Sequence, residues 1–126
     1  MAPTDLTDRA SKSKSQYRFT ITSAVVKKGR PTVLKYSWTY DPKRSYEDDR
    51  FAVAVYNLAT KEQTFLDYHV YTHDHGKGNT GTWTVDISSL KDKLGKYLLL
   101  FVLIDFDDYV VVAAKGKPFH VRKGDF

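Results

Sequence analysis

Apolar and polar residues alternate one by one along much of this chain, and that period of two is the signature of strands rather than helices. From Gln16 to Val26 the residues Tyr17, Phe19 and Ile21 point one way and Arg18, Thr20 and Thr22 the other, which predicts a half-buried strand. A second strand follows, with Leu34, Tyr36, Trp38 and Tyr40 on an aromatic inner side and Val33, Lys35, Ser37 and Thr39 opposite. Phe51 to Tyr56 predicts a third strand that is apolar on both faces. Thr64 to Tyr71 gives a fourth, in which Leu66, Tyr68 and Val70 oppose Phe65, Asp67, His69 and Tyr71. In the fifth, Thr82 to Ile87, the residues Trp83, Val85 and Ile87 are expected to face inward. Turn residues separate these segments: Lys28-Gly29-Arg30-Pro31, Asp41-Pro42 with the charged run Lys43 to Arg50, Asn57 to Lys61, and the loop His73 to Asn79. That last loop is the most polar and glycine-rich in the chain, so it is expected to be exposed and flexible.

The segment from Gly95 to Ala114 organises the rest. It holds two apolar runs, Tyr97 to Ile104 and Tyr109 to Ala114, joined by Asp105-Phe106-Asp107-Asp108, and reads as two strands with an acidic hairpin turn. The first run is apolar at every position, so both of its faces need cover and it belongs in the middle of a sheet. Before it, Ser88 or Ser89 is placed to cap a helical turn that carries Leu90 and Leu94 and ends at Gly95. After it, Phe119 to Val121 forms a short edge strand. The pattern predicts an all-β fold: an antiparallel two-sheet sandwich of immunoglobulin or fibronectin III type with about seven to eight strands. Residues 1–16 are expected to be a polar tail, 17–122 the sandwich, and 123–126 a loose C-terminal tail.

With 126 residues and no cysteine, the chain is one domain that builds its core without disulfides, thiolate metal sites or a Cys nucleophile. No stretch is long and apolar enough to cross a bilayer as a helix, and no secretory signal opens the sequence as given. Localisation is therefore left between cytoplasmic and leaderless or processed secreted. A net charge of +5 favours acidic surfaces. The cations come in pairs and threes with acids interleaved, which reads as a solvated surface and not as a specific nucleic-acid face.

The chemistry-bearing residues concentrate near strand ends. His69, His73, Asp74 and His75 have metal-ligand character, yet their spacing matches no dedicated zinc site, and exposed loop residues are the default. Asp105, Asp107 and Asp108 suit a hairpin turn better than a calcium site. No nucleophile elbow, phosphate loop or paired-acid motif frames the Ser, His and Asp residues, so no enzyme and no cofactor are expected. The aromatic content is more informative. Nine Tyr, seven Phe and two Trp exceed what such a core needs, with Trp38 and Trp83 assigned to packing. Tyr40, Tyr46, Tyr68, Tyr71 and Tyr109 fall near strand ends or loops. Tyrosine beside His73, Asp74, His75 and Asn79 can stack on a sugar ring while the polar groups bond its hydroxyls.

Two fungal families share features with the chain. The strand ending in Trp38, GTWTVDISSL at Gly81 to Leu90, GKYLLLFV at Gly95 to Val102 and the closing Lys117-Pro118-Phe119-His120-Val121 resemble the immunoglobulin-like domain of Ser/Thr-rich, β-glucan-associated cell-wall proteins. LKYSWTYDPKRS at Leu34 to Ser45 and FVLIDFDDYVVVAAK at Phe101 to Lys115 are similar to strands of the small fungal immunomodulatory proteins. The second resemblance implies a leaderless fibronectin-like sandwich that forms a homodimer and binds cell-surface glycans. The expectation is a non-catalytic, lectin-like module whose partner is a glycan or cell-surface glycoprotein, with Tyr40, Tyr46, Tyr68, Tyr71, His73, Asp74, His75 and Asn79 at the site. The alternatives are a protein-interaction or assembly domain that needs no glycan, and a metal-dependent site at the His73 to His75 loop.

Overall fold

A computed structural model describes residues 19–41, 50–104 and 110–126. The N-terminal tail, Tyr46 with the charged run 43–49, and the acidic turn 105–108 with Tyr109 lie outside the described residues. Eight strands follow in order: β1 (Phe19–Lys27), β2 (Val33–Tyr40), β3 (Arg50–Asn57), β4 (Gln63–Tyr71), β5 (Thr80–Asp86), β6 (Gly95–Ile104), β7 (Val110–Lys115) and β8 (Phe119–Val121). They form two antiparallel sheets. One runs β1-β2-β5; the other runs β4-β3-β6-β7, with β8 also paired to β6. The chain crosses between sheets after β2, β4 and β5, so this is the two-sheet sandwich that the alternation predicts.

The all-apolar run 97–104 lies in the centre of the larger sheet, between β3 and β7. Leu99 and Phe101 enter the inter-sheet core, while Leu100 and Val102 join Ala52, Ala54 and Val112 in a second buried cluster on the opposite face. All four of these β6 side chains are inaccessible to solvent. Each large apolar side chain so buried contributes about 1.5–3 kcal/mol. The inter-sheet core is built around aromatics. Phe51 stacks on Phe101 with ring centroids 4.0 Å apart, and Phe19, Tyr36 and Trp38 meet Phe101 edge-on.

Three local expectations are corrected. Alternation in β1 holds only to Ile21, where a register shift before Ser23 puts Ala24 and Val26 against the core and leaves Val25 in solvent. The turn after β5 is a single 3-10 turn, Ser88–Leu90, and it is the Asp86 carboxylate, not a serine hydroxyl, that accepts the Ser88 amide at 2.7 Å. The C-terminal residues are tied down rather than loose. Lys123–Asp125 form a 3-10 turn, the Thr32 hydroxyl donates to the Asp125 carbonyl, and Phe126 packs against the core.

Candidate functional site

Gly81 is the starting point. It pairs with Trp38 in the ladder between β2 and β5, and a side chain there would overlap the Trp38 indole, with a β-carbon only 2.2 Å from Cζ2. The ring of Trp38 therefore lies directly on the Gly81 backbone. It is fully buried, and its Nε1 donates to the Thr72 carbonyl at 3.2 Å. That bond fixes the start of loop 72–79.

Backbone hydrogen bonds also tie the rest of the loop to β2 and β5. Thr82 donates its amide to the His75 carbonyl at 2.9 Å, and the Tyr40 amide donates to Asn79 at 3.0 Å. Gly76 sits so close to Thr80 that a β-carbon would lie 2.4 Å from its carbonyl oxygen, and Gly78 adopts φ +64°. The loop consequently holds the His75 imidazole in one place. It stacks on Trp83 with centroids 3.8 Å apart and planes 25° from parallel, and it meets Trp38 edge-on at 6.4 Å.

Trp83 is the residue that sequence reasoning misplaced. Its alternation with Val85 and Ile87 suggests packing, and those two are buried, but Trp83 is 43% exposed. Alternation reports which face of a strand a side chain is on, not whether the facing layer extends over it. β5 is one of the two edge strands of the smaller sheet, and an edge position cannot be read from one strand's pattern. A glycine two residues before an inward-facing Trp was the available hint that another ring occupies the space.

The expected site residues divide into groups. Tyr40 is buried, and its hydroxyl donates to the Gly78 carbonyl at 3.0 Å, so it serves the loop. Tyr46 lies outside the described residues. Tyr68 is 61% exposed and lies parallel to Phe65, centroids 5.4 Å apart; Tyr71, at the end of β4, is 46% exposed. His73 and Asp74 are exposed and 3.7 Å from each other. Asn79 is exposed, with its carbonyl engaged by Tyr40. Loop 72–79 thus carries His73, Asp74 and Asn79 together with His75, the one of them that stacks on Trp83, and Tyr71 precedes it. Among the described residues no three His, Asp or Glu side chains gather at metal-binding distances.

Behind Trp83, its ladder partner Tyr36 is fully buried and its hydroxyl has no hydrogen-bond partner among the described residues. Burial, and then the negative charge of Asp67 on β4, push this hydroxyl well above the ordinary tyrosine range. The described site offers an aromatic shelf with exposed hydrogen-bonding groups beside it and no nucleophile–base pair. No family model matches the chain, and neither the curated proteins nor the solved structures contain a match.

Proposed function

We propose that the protein is a non-catalytic carbohydrate-binding module in which the Trp83 indole, braced by His75, forms the stacking surface for a sugar ring. The observation that carries this reading is the exposure of Trp83 on an otherwise well-packed sandwich. Leaving so much of a large aromatic in water forgoes roughly 2 kcal/mol of burial, a cost that a ligand recovers by covering the ring. His75 stacks on one face of the indole, and 43% of the residue remains exposed for a ligand to cover. Sugar rings present C–H faces that stack on such a surface, while their hydroxyls require donors and acceptors like those of His73, Asp74 and Asn79. Both rings are pre-positioned by the loop bonds, so little conformational entropy is lost on binding.

The test uses the two tryptophans, of which only Trp83 is accessible. A ligand identified on a glycan array should perturb the fluorescence of the parent protein. It should lose at least ten-fold in affinity with Trp83→Ala, with the fold intact by circular dichroism. A broad array without a single positive, or a glycan ligand indifferent to Trp83→Ala, overturns the reading.

A further inference from the structure

Strand β2 runs from Val33, beside the turn 28–31, to Tyr40, beside Asn79, so the turn 28–31 and Asn79 belong to opposite ends of the sandwich, with Trp83 on the flank between them, paired with Tyr36. At the Val33 end, four loop segments are bonded into one surface. Thr32 donates its hydroxyl to the Asp125 carbonyl and accepts the Ile87 amide at its own carbonyl. The Leu58 amide donates to the Lys96 carbonyl at 2.9 Å, and the Lys93 ammonium lies 3.6 Å from the Glu62 carboxylate.

These segments carry Lys27, Lys28, Arg30, Lys61, Lys91, Lys93, Lys96, Arg122 and Lys123, all exposed. Against these nine cations stand four carboxylates, Glu62, Asp86, Asp92 and Asp125. Three of the four are already engaged: Asp86 by the Ser88 amide, Asp125 by the Arg122 amide at 2.8 Å, and Glu62 by Lys93. Nine against four leaves five positive charges, equal to the net charge of the whole chain, gathered at one end. Among these cations two aliphatic side chains stand in solvent, Leu58 at 37% and Leu94 at 42% exposure. They lie on adjoining loops, because Leu58 is bonded to Lys96 and Leu94 is two residues before it.

We propose that this end of the sandwich docks on an anionic phospholipid bilayer, with Leu58 and Leu94 entering the interfacial layer and the surrounding lysines facing the lipid headgroups. The combination selects this partner. Seven of the nine cations are Lys, mobile point charges suited to a diffuse anionic surface, whereas phosphate recognition in nucleic acids favours the fixed fork of Arg. A hydrated polyanion would also leave both leucines facing water, while a bilayer interface gives them an apolar layer to enter. The aromatic shelf is not part of this end: Trp83 stands on the flank, paired with Tyr36 in mid-strand.

Co-sedimentation with phosphatidylcholine vesicles, with and without phosphatidylserine, tests the proposal. The protein should partition onto the phosphatidylserine vesicles alone, and less as salt is raised. Each lysine near the surface contributes about five-fold, so Lys91→Ala with Lys96→Ala should weaken binding about 25-fold. Leu58→Ser with Leu94→Ser should cost about ten-fold, and since both side chains already face solvent the fold should persist. Trp83→Ala should leave vesicle binding unchanged, which separates this result from the glycan reading. Equal binding to both vesicle types, or no binding to either, overturns the proposal. So does a double-serine variant that binds vesicles undiminished, or a protein that binds heparin or DNA while ignoring phosphatidylserine vesicles.

Discussion

Replacing Gly81 by alanine adds one methyl group at the tightest of the chain's glycine positions. The new β-carbon would lie 2.2, 2.4 and 2.9 Å from Cζ2, Cε2 and Cη2 of Trp38. Ordinary carbon contacts begin near 3.5 Å, so the indole would have to retreat by about 1 Å. It has nowhere to go. Tyr36 stacks on it at 5.5 Å, Phe51 and Phe101 abut it edge-on at 5.2 and 5.7 Å, and its Nε1 bond to Thr72 fixes the remaining direction. Overpacking of this kind costs about 1–3 kcal/mol, and a displaced Nε1 leaves a buried donor and acceptor unpaired for about 1–2 kcal/mol more. Two opposing terms are smaller. Gly81 does not occupy the positive-φ region, so alanine brings no backbone strain, and restricting the unfolded chain returns about 0.4–1 kcal/mol.

The expected balance is a loss of about 3 kcal/mol, read by urea denaturation as a lower midpoint at unchanged slope. At this chain length that corresponds to a fall in Tm of about 10 °C. Trp38→Phe supplies the control, because phenylalanine lacks the indole atoms that the methyl group meets. In that background Gly81→Ala should cost under about 1 kcal/mol, a coupling of about 2 kcal/mol. A Gly81→Ala protein within about 0.5 kcal/mol of the parent would refute the packing argument, and with it the origin of the fixed position of His75.

Tyr36→Phe removes a buried hydroxyl that has no partner among the described residues, so it should leave stability unchanged or raise it by up to about 1 kcal/mol at neutral pH. The same variant isolates an alkaline effect. The Tyr36 hydroxyl is held protonated in the fold, whereas the unfolded chain releases that proton near the ordinary value of 10.0. Its contribution is therefore complete below pH 10 and is lost as pH rises, by up to about 1.4 kcal/mol per pH unit. The variant should destabilise less steeply than the parent in that range, and equal slopes would contradict the assignment. Thr32→Val deletes the hydroxyl that donates to the Asp125 carbonyl and accepts the Gly29 amide, at a residue only 2% exposed, and should cost about 1–3 kcal/mol. Amide exchange should accelerate at Asp125 and Phe126 more than in β6; uniform exchange would mean the tie to the C-terminus is unimportant.

The strands were legible because burial on a pleated ribbon leaves its mark at every second residue. Leu34, Tyr36, Trp38 and Tyr40 are all buried as their alternation implies, and the all-apolar run of β6 is covered on both faces. What failed to show was whatever depends on two segments meeting. Nothing local to Trp83 says that β5 is an edge, nothing in His75 says that it will stack on an indole eight residues later, and nothing in Leu58 says that Lys96 will accept its amide. The same holds for charge. Spread along the sequence the cations look interleaved with acids, and only the pairing of strand ends gathers nine of them at one end. In loop 72–79 the glycines signal flexibility in isolation, but Gly76 is required here for close packing against Thr80.

β4 and β5 are the edges of the two sheets on the same flank of the sandwich, so the inner side of β4 is what would cover the indole. Strict alternation would place Tyr68 between Leu66 and Val70, both of which pack against the inter-sheet core. Instead β4 shifts register against β3 twice between Phe51 and Ala54, which accommodates extra residues on the β4 side. Tyr68 leaves that row and lies parallel to Phe65, which packs against the cluster on the outer face. Tyr68 thus stands outside the inter-sheet row, while on the facing edge it is His75 that stacks on Trp83. The aromatic shelf is thus assembled where the edge strand β5 meets loop 72–79, from residues eight apart in the sequence, rather than from any motif along the chain.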